Sequence, residues 1–187
     1  MSKQTWMGEL IRAQSDGAAL TAAAAASCLP THAKYTLPPN YFDAPGKGLR
    51  IKASGRISSV ITTPGTARFD VRLGSTVVFD GLAIVLDSIA AHTNVGWALE
   101  IELTARTVGT GTNATLIGTG WWTCEDIIGV PATAPKGVLS AILPWNSAPA
   151  VGNGFDSTIA NVLDLFFTQT QATGSMTLHQ YTAIEPN

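Results

Sequence analysis

Charge is what this chain has least of. Only 13% of its 187 residues are Asp, Glu, Lys or Arg, about half the usual share. Beside a hydrophobic fraction of 45%, that scarcity excludes a disordered chain, which needs few apolar residues and many charges. A formal net charge of −2 argues against a dedicated nucleic-acid binder, whose affinity comes from neutralising phosphates with a basic surface. No run approaches the ~20 apolar residues that carry a helix across a bilayer, so neither nucleic acid nor membrane is expected as a partner. Cysteine is nearly absent: Cys28 and Cys124 are the only two. Neither sits in a CxxC or metal-ligand spacing, which excludes a disulfide-dense scaffold and leaves them as free thiols.

Catalytic and ligating motifs are missing as well. His32, His92 and His179 are scattered, with no HxH or HExxH spacing to seed a metal site. There is no GxSxG, and neither cysteine has the flanking signature of a nucleophile. The pairs Gly109/Gly111, Gly118/Gly120 and Gly152/Gly154 lack the strand–glycine–helix context of a phosphate loop and read as turns. Glu100 and Glu102 lie two apart on one strand face, a spacing that paired glycosidase acids can share. Arg106 further along that face points to charge balance instead. The expectation is a protein that is not an enzyme and has no catalytic residue, cofactor or metal.

What is present begins with "DGAALTAAAAASCLP", Asp16 to Pro30. As an export signal it fails in detail: Glu9, Asp16 and Gly17 precede the run, Thr21 interrupts it, and alanine is weakly hydrophobic. No leucine stands three residues before Cys28 to complete a lipoprotein box. A short alanine helix without an apolar face gains little by itself. Residues 1–34 are therefore expected to form an extended N-terminal arm that lies along a neighbouring surface and is dispensable for folding of the rest.

From Tyr35 the texture changes to period-two alternation, the mark of strands with one dry face. In "LRIKASGRI", Leu49, Ile51, Ala53 and Ile57 point one way and Arg50, Lys52, Ser54 and Arg56 the other. "ARFDVRLGSTVVF" places Ala67, Phe69, Val71 and Leu73 inward and Arg68, Asp70 and Arg72 outward, with Gly74-Ser75 at a two-residue hairpin turn. "WALEIELTARTV" puts Trp97, Leu99, Ile101, Leu103 and Ala105 inside, and Gly109–Asn113 reads as a second hairpin connection. With "TLIGTGWWTC", "GVLSAIL", "STIANVLDLFFTQT" and "GSMTLHQYTAI", seven or eight strands alternate with Pro, Gly and Asn loops. This pattern predicts an all-β chain over residues 35–187: one antiparallel β-sandwich of jelly-roll type.

The stretch "LPPNYFDAPGKGLRIKASGRIS", Leu37 to Ser58, resembles a family of small virion structural proteins of tailed bacteriophages and prophages. The resemblance continues through "FDVRLGSTVVFDG", "LEIELTARTVGTGTNATLIGTGWW" and "FDSTIANVLDLFFTQT…MTLHQYTAIE", so it spans nearly all of the chain after the arm. These phrases are strands and turns, which specify membership better than activity. The resemblance implies a jelly-roll decoration or cement protein, assembled in the bacterial cytoplasm and bound as a homotrimer to the major capsid protein on the capsid surface of the virion. A tail-associated or receptor-binding module that recognises carbohydrate is the alternative.

The candidate contacts follow from the outward positions. Arg50, Lys52, Arg56, Arg68 and Arg72 form a basic set on two strands, suited either to a partner surface or to cross-strand pairs with Glu100 or Glu102. Trp121 and Trp122 must face opposite sides of their strand; Trp122, with Trp145 in a proline-flanked loop, is taken as a candidate partner or sugar contact. Asp164 stands in "VLDLFF" among large apolar side chains. It is either at an intersubunit contact, the favoured reading, or a buried acid satisfied by hydrogen bonds or a cation. His179, alternating with Thr177 and Tyr181, is read as a surface or interface histidine.

Overall fold

The computed structural model of the chain describes residues 7–128 and 138–186. They form two antiparallel sheets, stacked with their apolar faces together. Sheet A runs in spatial order β1 (Met7–Arg12), β12 (Ser175–Pro186), β4 (Gly48–Ser59), β8 (His92–Thr107), β9 (Thr115–Ile128) and β10 (Val138–Leu143). Sheet B runs β2 (Ala25–Ser27), β11 (Asn161–Gln169), β5 (Thr66–Leu73) and β6 (Thr76–Asp80). The short β3 (Tyr35–Leu37) also pairs with β11, and β7 (Ile84–Val85) with β5. The chain crosses between the sheets after β1, after β3, after β4, before β8, after β10 and after β11, as expected of a jelly-roll-type sandwich.

Alternation places the core. Leu49, Ile51 and Ile57 of β4, Ala67, Phe69, Val71 and Leu73 of β5, and Leu99, Ile101 and Leu103 of β8 are all buried. Phe69 of sheet B meets Trp97 and Trp122 of sheet A at ring-centroid distances of 5.1 and 5.3 Å. Both expected hairpins are present: Leu73 pairs with Thr76 around Gly74, whose φ of +60° suits glycine, and Thr107 pairs with Thr115.

Strand β12 breaks strict alternation. A β-bulge between Leu178 and Gln180 shifts the register, so Leu178 and Tyr181 are both buried while Gln180 turns outward. Gly55 makes room for it, since a Cβ there would stand 2.0 Å from the Thr177 carbonyl oxygen. The expected outward position of Tyr181 is thereby corrected; Thr177, before the bulge, keeps the face opposite Met176 and Leu178 but is buried there, and His179 reaches Asp16 at 2.9 Å.

The described part of the N-terminal stretch lies along the sandwich of its own chain. β1 pairs with β12, and Leu20 bridges to Met176. β2 then crosses to the other sheet to pair with β11, where the Cys28 amide donates to the Leu165 carbonyl at 2.8 Å. Residues 7–37 thus cover the edge of one sheet after the other, occupying backbone groups that an open edge would leave unpaired. Cys28 is buried and Cys124 is also a free, buried thiol. Burial pushes the Cys124 thiol up to about 12.

The same segment resolves Asp164. Its carboxylate accepts from the Ser27 hydroxyl at 2.6 Å and pairs with the Lys34 ammonium at 2.7 Å. Asp164 is therefore a satisfied buried acid, and the intersubunit contact favoured from sequence is not needed to explain it. Lys34→Ala leaves a buried carboxylate short of a partner and is expected to cost about 1–3 kcal/mol. Deleting residues 1–34 removes both partners and both edge covers, and should lower the urea midpoint further still. Equilibrium urea unfolding checks both.

Candidate functional site

The outer face of sheet A carries a depression of about 460 Å³. Strand register builds it as two rows. One row runs Thr182, Lys52, Glu100, Trp121 and Ile142 across β12, β4, β8, β9 and β10. The next runs Gln180, Ser54, Ala98, Thr123 and Ser140 over the same strands. Small side chains at Ser54 and Ala98 lower the floor, with Lys52, Glu100 and Gln180 standing beside it. Trp121 forms one wall and keeps 49% of its surface exposed.

Its charges are mutually compensated. Arg50 lies 3.1 Å from Glu102 and 3.6 Å from Glu100, and Lys52 lies 3.5 Å from Glu100. Partly exposed pairs of this kind contribute little stability, but they fix the direction of the side chains lining the groove. Beyond Trp121 the surface turns apolar, with Ile142 64% and Leu139 58% exposed on the edge strand β10.

Of the residues singled out in the sequence, the groove takes in Lys52, with Arg50 beside it in the ion-pair ladder. Arg56 is exposed on the same strand, opposite Gly96. Arg68 and Arg72 are on the other sheet, so the basic residues form no single patch. They are engaged there: Arg68 lies 2.8 Å from Asp80, and Arg72 lies 2.6 Å from Asp70 with its guanidinium 3.7 Å from the Phe166 ring centre. Asp70, expected outward, is wholly buried beneath these two arginines. Asp164 lies on this sheet too. Trp145 is half-buried against the core, its amide bonded to the Gly81 carbonyl.

Trp122 needs correction. It is buried against Phe69, and the exposed indole is Trp121. Trp122 sits directly opposite Leu99, and Trp121 opposite Glu100. The parity was available from Leu116, but the inward positions between, Gly118 and Gly120, carry no side chain to mark the face.

A second constellation had no sequence signature. Asp87, after β7, His92 at the start of β8 and Asp126 near the end of β9 converge at one end of the sandwich. His92 Nε2 lies 3.0 Å from Asp87 Oδ2 and 3.7 Å from Asp126 Oδ1. The Ser59 hydroxyl donates to Asp126 at 2.5 Å and the Asp87 amide donates to it at 3.2 Å. Burial pushes the Asp126 carboxyl up, only partly offset by Ser59 and His92. Burial acts on Asp87 too, but the His92 contact and the amides of Ile89 and Ala90 outweigh it and hold that carboxyl below its usual range. His92, which has no metal-ligand spacing in the sequence, is thus placed against two buried acids.

No protein-family model and no curated protein matches the chain. Among solved structures, it is similar to the CBM2 module of the evolved Dit of Lactobacillus casei BL23 phage J-1, at 11% identity and a TM-score of 0.37, over 82% of this chain and 68% of that one. It is also similar to peanut lectin in complex with a nonamer peptide, at 8% identity and a TM-score of 0.31, over 97% of each chain. Likeness this loose transfers no property of either protein to this chain.

The two aspartates should act oppositely on acid stability. A carboxyl lowered by folding stabilises above its unfolded pKa, and that stability is lost as pH falls through the folded value; a raised carboxyl stabilises at low pH and loses this as pH rises. Asp87→Asn is therefore expected to flatten the loss of stability below about pH 4, and Asp126→Asn to steepen it. Urea unfolding at a series of pH values reads both slopes.

Proposed function

We propose that this is a non-enzymatic protein of a bacteriophage particle, working as a glycan-recognition module that binds host-surface carbohydrate in the groove on sheet A. The observation that carries the reading is the half-exposed Trp121 indole beside a row of hydrogen-bonding side chains. A sugar ring offers a C–H face that packs on an indole, and hydroxyls around its rim that need donors and acceptors. Lys52 donates, Glu100 accepts, and Gln180, Ser54, Thr123 and Thr182 do both. The depression falls within the roughly 300–1,000 Å³ of small-ligand sites. The resemblance of Leu37–Ser58 and the later phrases to phage structural proteins supports the particle context.

A second reading is favoured by the exposed Val138, Leu139 and Ile142 on β10. Apolar side chains clustered on a sheet edge suit a protein partner, and on this reading the protein is a trimeric cement bound to the major capsid protein on the head exterior.

Tryptophan fluorescence against an array of bacterial surface polysaccharides separates the two. Quenching by a defined glycan is expected. Trp121→Ala should weaken that binding by about tenfold or more, equivalent to at least 1.4 kcal/mol, with the melting temperature unchanged. No quenching by any glycan, together with stable attachment to undecorated heads, overturns the glycan reading in favour of the cement. Trp122→Ala, in contrast, should cost about 3–5 kcal/mol of stability because it empties a core position.

A further inference from the structure

One end of the sandwich holds a different kind of site, which shares no residue with the groove. Asp87 and Asp126 are 1% and 0% exposed, yet they bring two carboxylates to face a single imidazole. Their donor atoms and the His92 ring nitrogen all lie within 4.8 Å of one another. Two buried anions against one imidazole leave negative charge uncompensated unless a proton or a cation joins them.

Geometry favours a cation of a particular kind. Two ligands each about 2.0–2.1 Å from a tetrahedral zinc stand about 3.3 Å apart. The observed separations from His92 Nε2, 3.0 Å to Asp87 and 3.7 Å to Asp126, bracket that value. The nitrogen donor distinguishes the set from the all-oxygen shells that calcium and magnesium take. The supporting shell is already in place: the Ser59 hydroxyl and the Asp87 amide each hold an oxygen of Asp126, and the Ile89 amide holds Asp87 at 2.7 Å. His92 is the least buried of the three, its side chain 18% exposed, so solvent reaches the cluster from its side.

We propose that Asp87, His92 and Asp126 form a three-ligand site for a divalent metal of the zinc type, completed by water, that ties the Asp87 loop to the start of β8 and the end of β9. The ligands come from three separate segments, so the ion cross-links them. This site is independent of the glycan reading, and neither stands or falls with the other.

The test uses the full chain, dialysed against chelator and then titrated with zinc chloride near neutral pH. Uptake of one equivalent, measured by elemental analysis after desalting, is expected. At a hundredfold excess over the dissociation constant the melting temperature should rise by about 5–10 °C. His92→Ala and Asp126→Asn should abolish both uptake and shift. His179→Ala and Cys124→Ser should keep both, separating this site from the exposed His179–Asp16 pair and from the thiols. If Asp126→Asn fails to fold, the less buried His92→Ala decides. No uptake by the wild type at millimolar zinc, or an undiminished equivalent in His92→Ala, overturns the proposal. A larger shift with calcium than with zinc overturns the assignment of metal type.

Discussion

The packing of Phe69 between the two sheets is the contact on which the remaining structure depends. From sheet B its ring meets Trp97 and Trp122 of sheet A, and Phe167 on its own sheet stands 5.2 Å away. Tilted and edge-on aromatic contacts add to the large area such rings remove from water. The consequence reaches the surface. Burying Trp122 sets the parity of β9, because a one-residue slip would turn every side chain of the strand to the other face. Trp121 and Thr123 must then face outward and Asp126 inward, so one buried indole determines both the wall of the groove and a ligand of the aspartate–histidine cluster.

The two outer faces of the sandwich meet water differently. On sheet B, Arg72 stacks on Phe166 and, with Arg68, covers Asp70, while Ser27 and Lys34 satisfy Asp164. That face is closed by its own side chains and by the N-terminal segment. On sheet A the charges are paired along the Arg50–Glu102 and Lys52–Glu100 ladder, which leaves a low floor at Ser54 and Ala98 and an indole beside it. A charge-poor chain has few groups with which to cover two sheet faces. Concentrating the buried acids on one face and at one end leaves the other free for binding.

The N-terminal residues show how a weak local preference yields to tertiary structure. The alanine-rich run has no apolar stripe and forms no helix; its end supplies β2 to sheet B, and β1 before it joins sheet A. What stabilises it is the backbone pairing that the open edges of β11 and β12 offer, together with the ion pair of Lys34. Neither partner is visible within the run, since Asp164 lies more than a hundred positions away.

Alternation along β4, β5 and β8 was enough to establish an antiparallel sandwich and its inward residues, because a strand's faces follow from a two-residue period within one segment. Register between strands belongs to the whole molecule. It put Trp121 rather than Trp122 outside, where glycines had erased the pattern, and it separated Arg50 and Lys52 from Arg68 and Arg72 by sending adjacent strands to opposite sheets. The bulge at Leu178–Gln180 required a neighbour without a side chain, which Gly55 provides only once the two strands are paired. Asp87, His92 and Asp126 meet for the same reason: chain crossings bring together three segments whose local patterns carry no trace of one another. The sequence by itself determined which faces would be dry; only the tertiary structure decided which side chains would share a site, because that depends on pairings between distant strands.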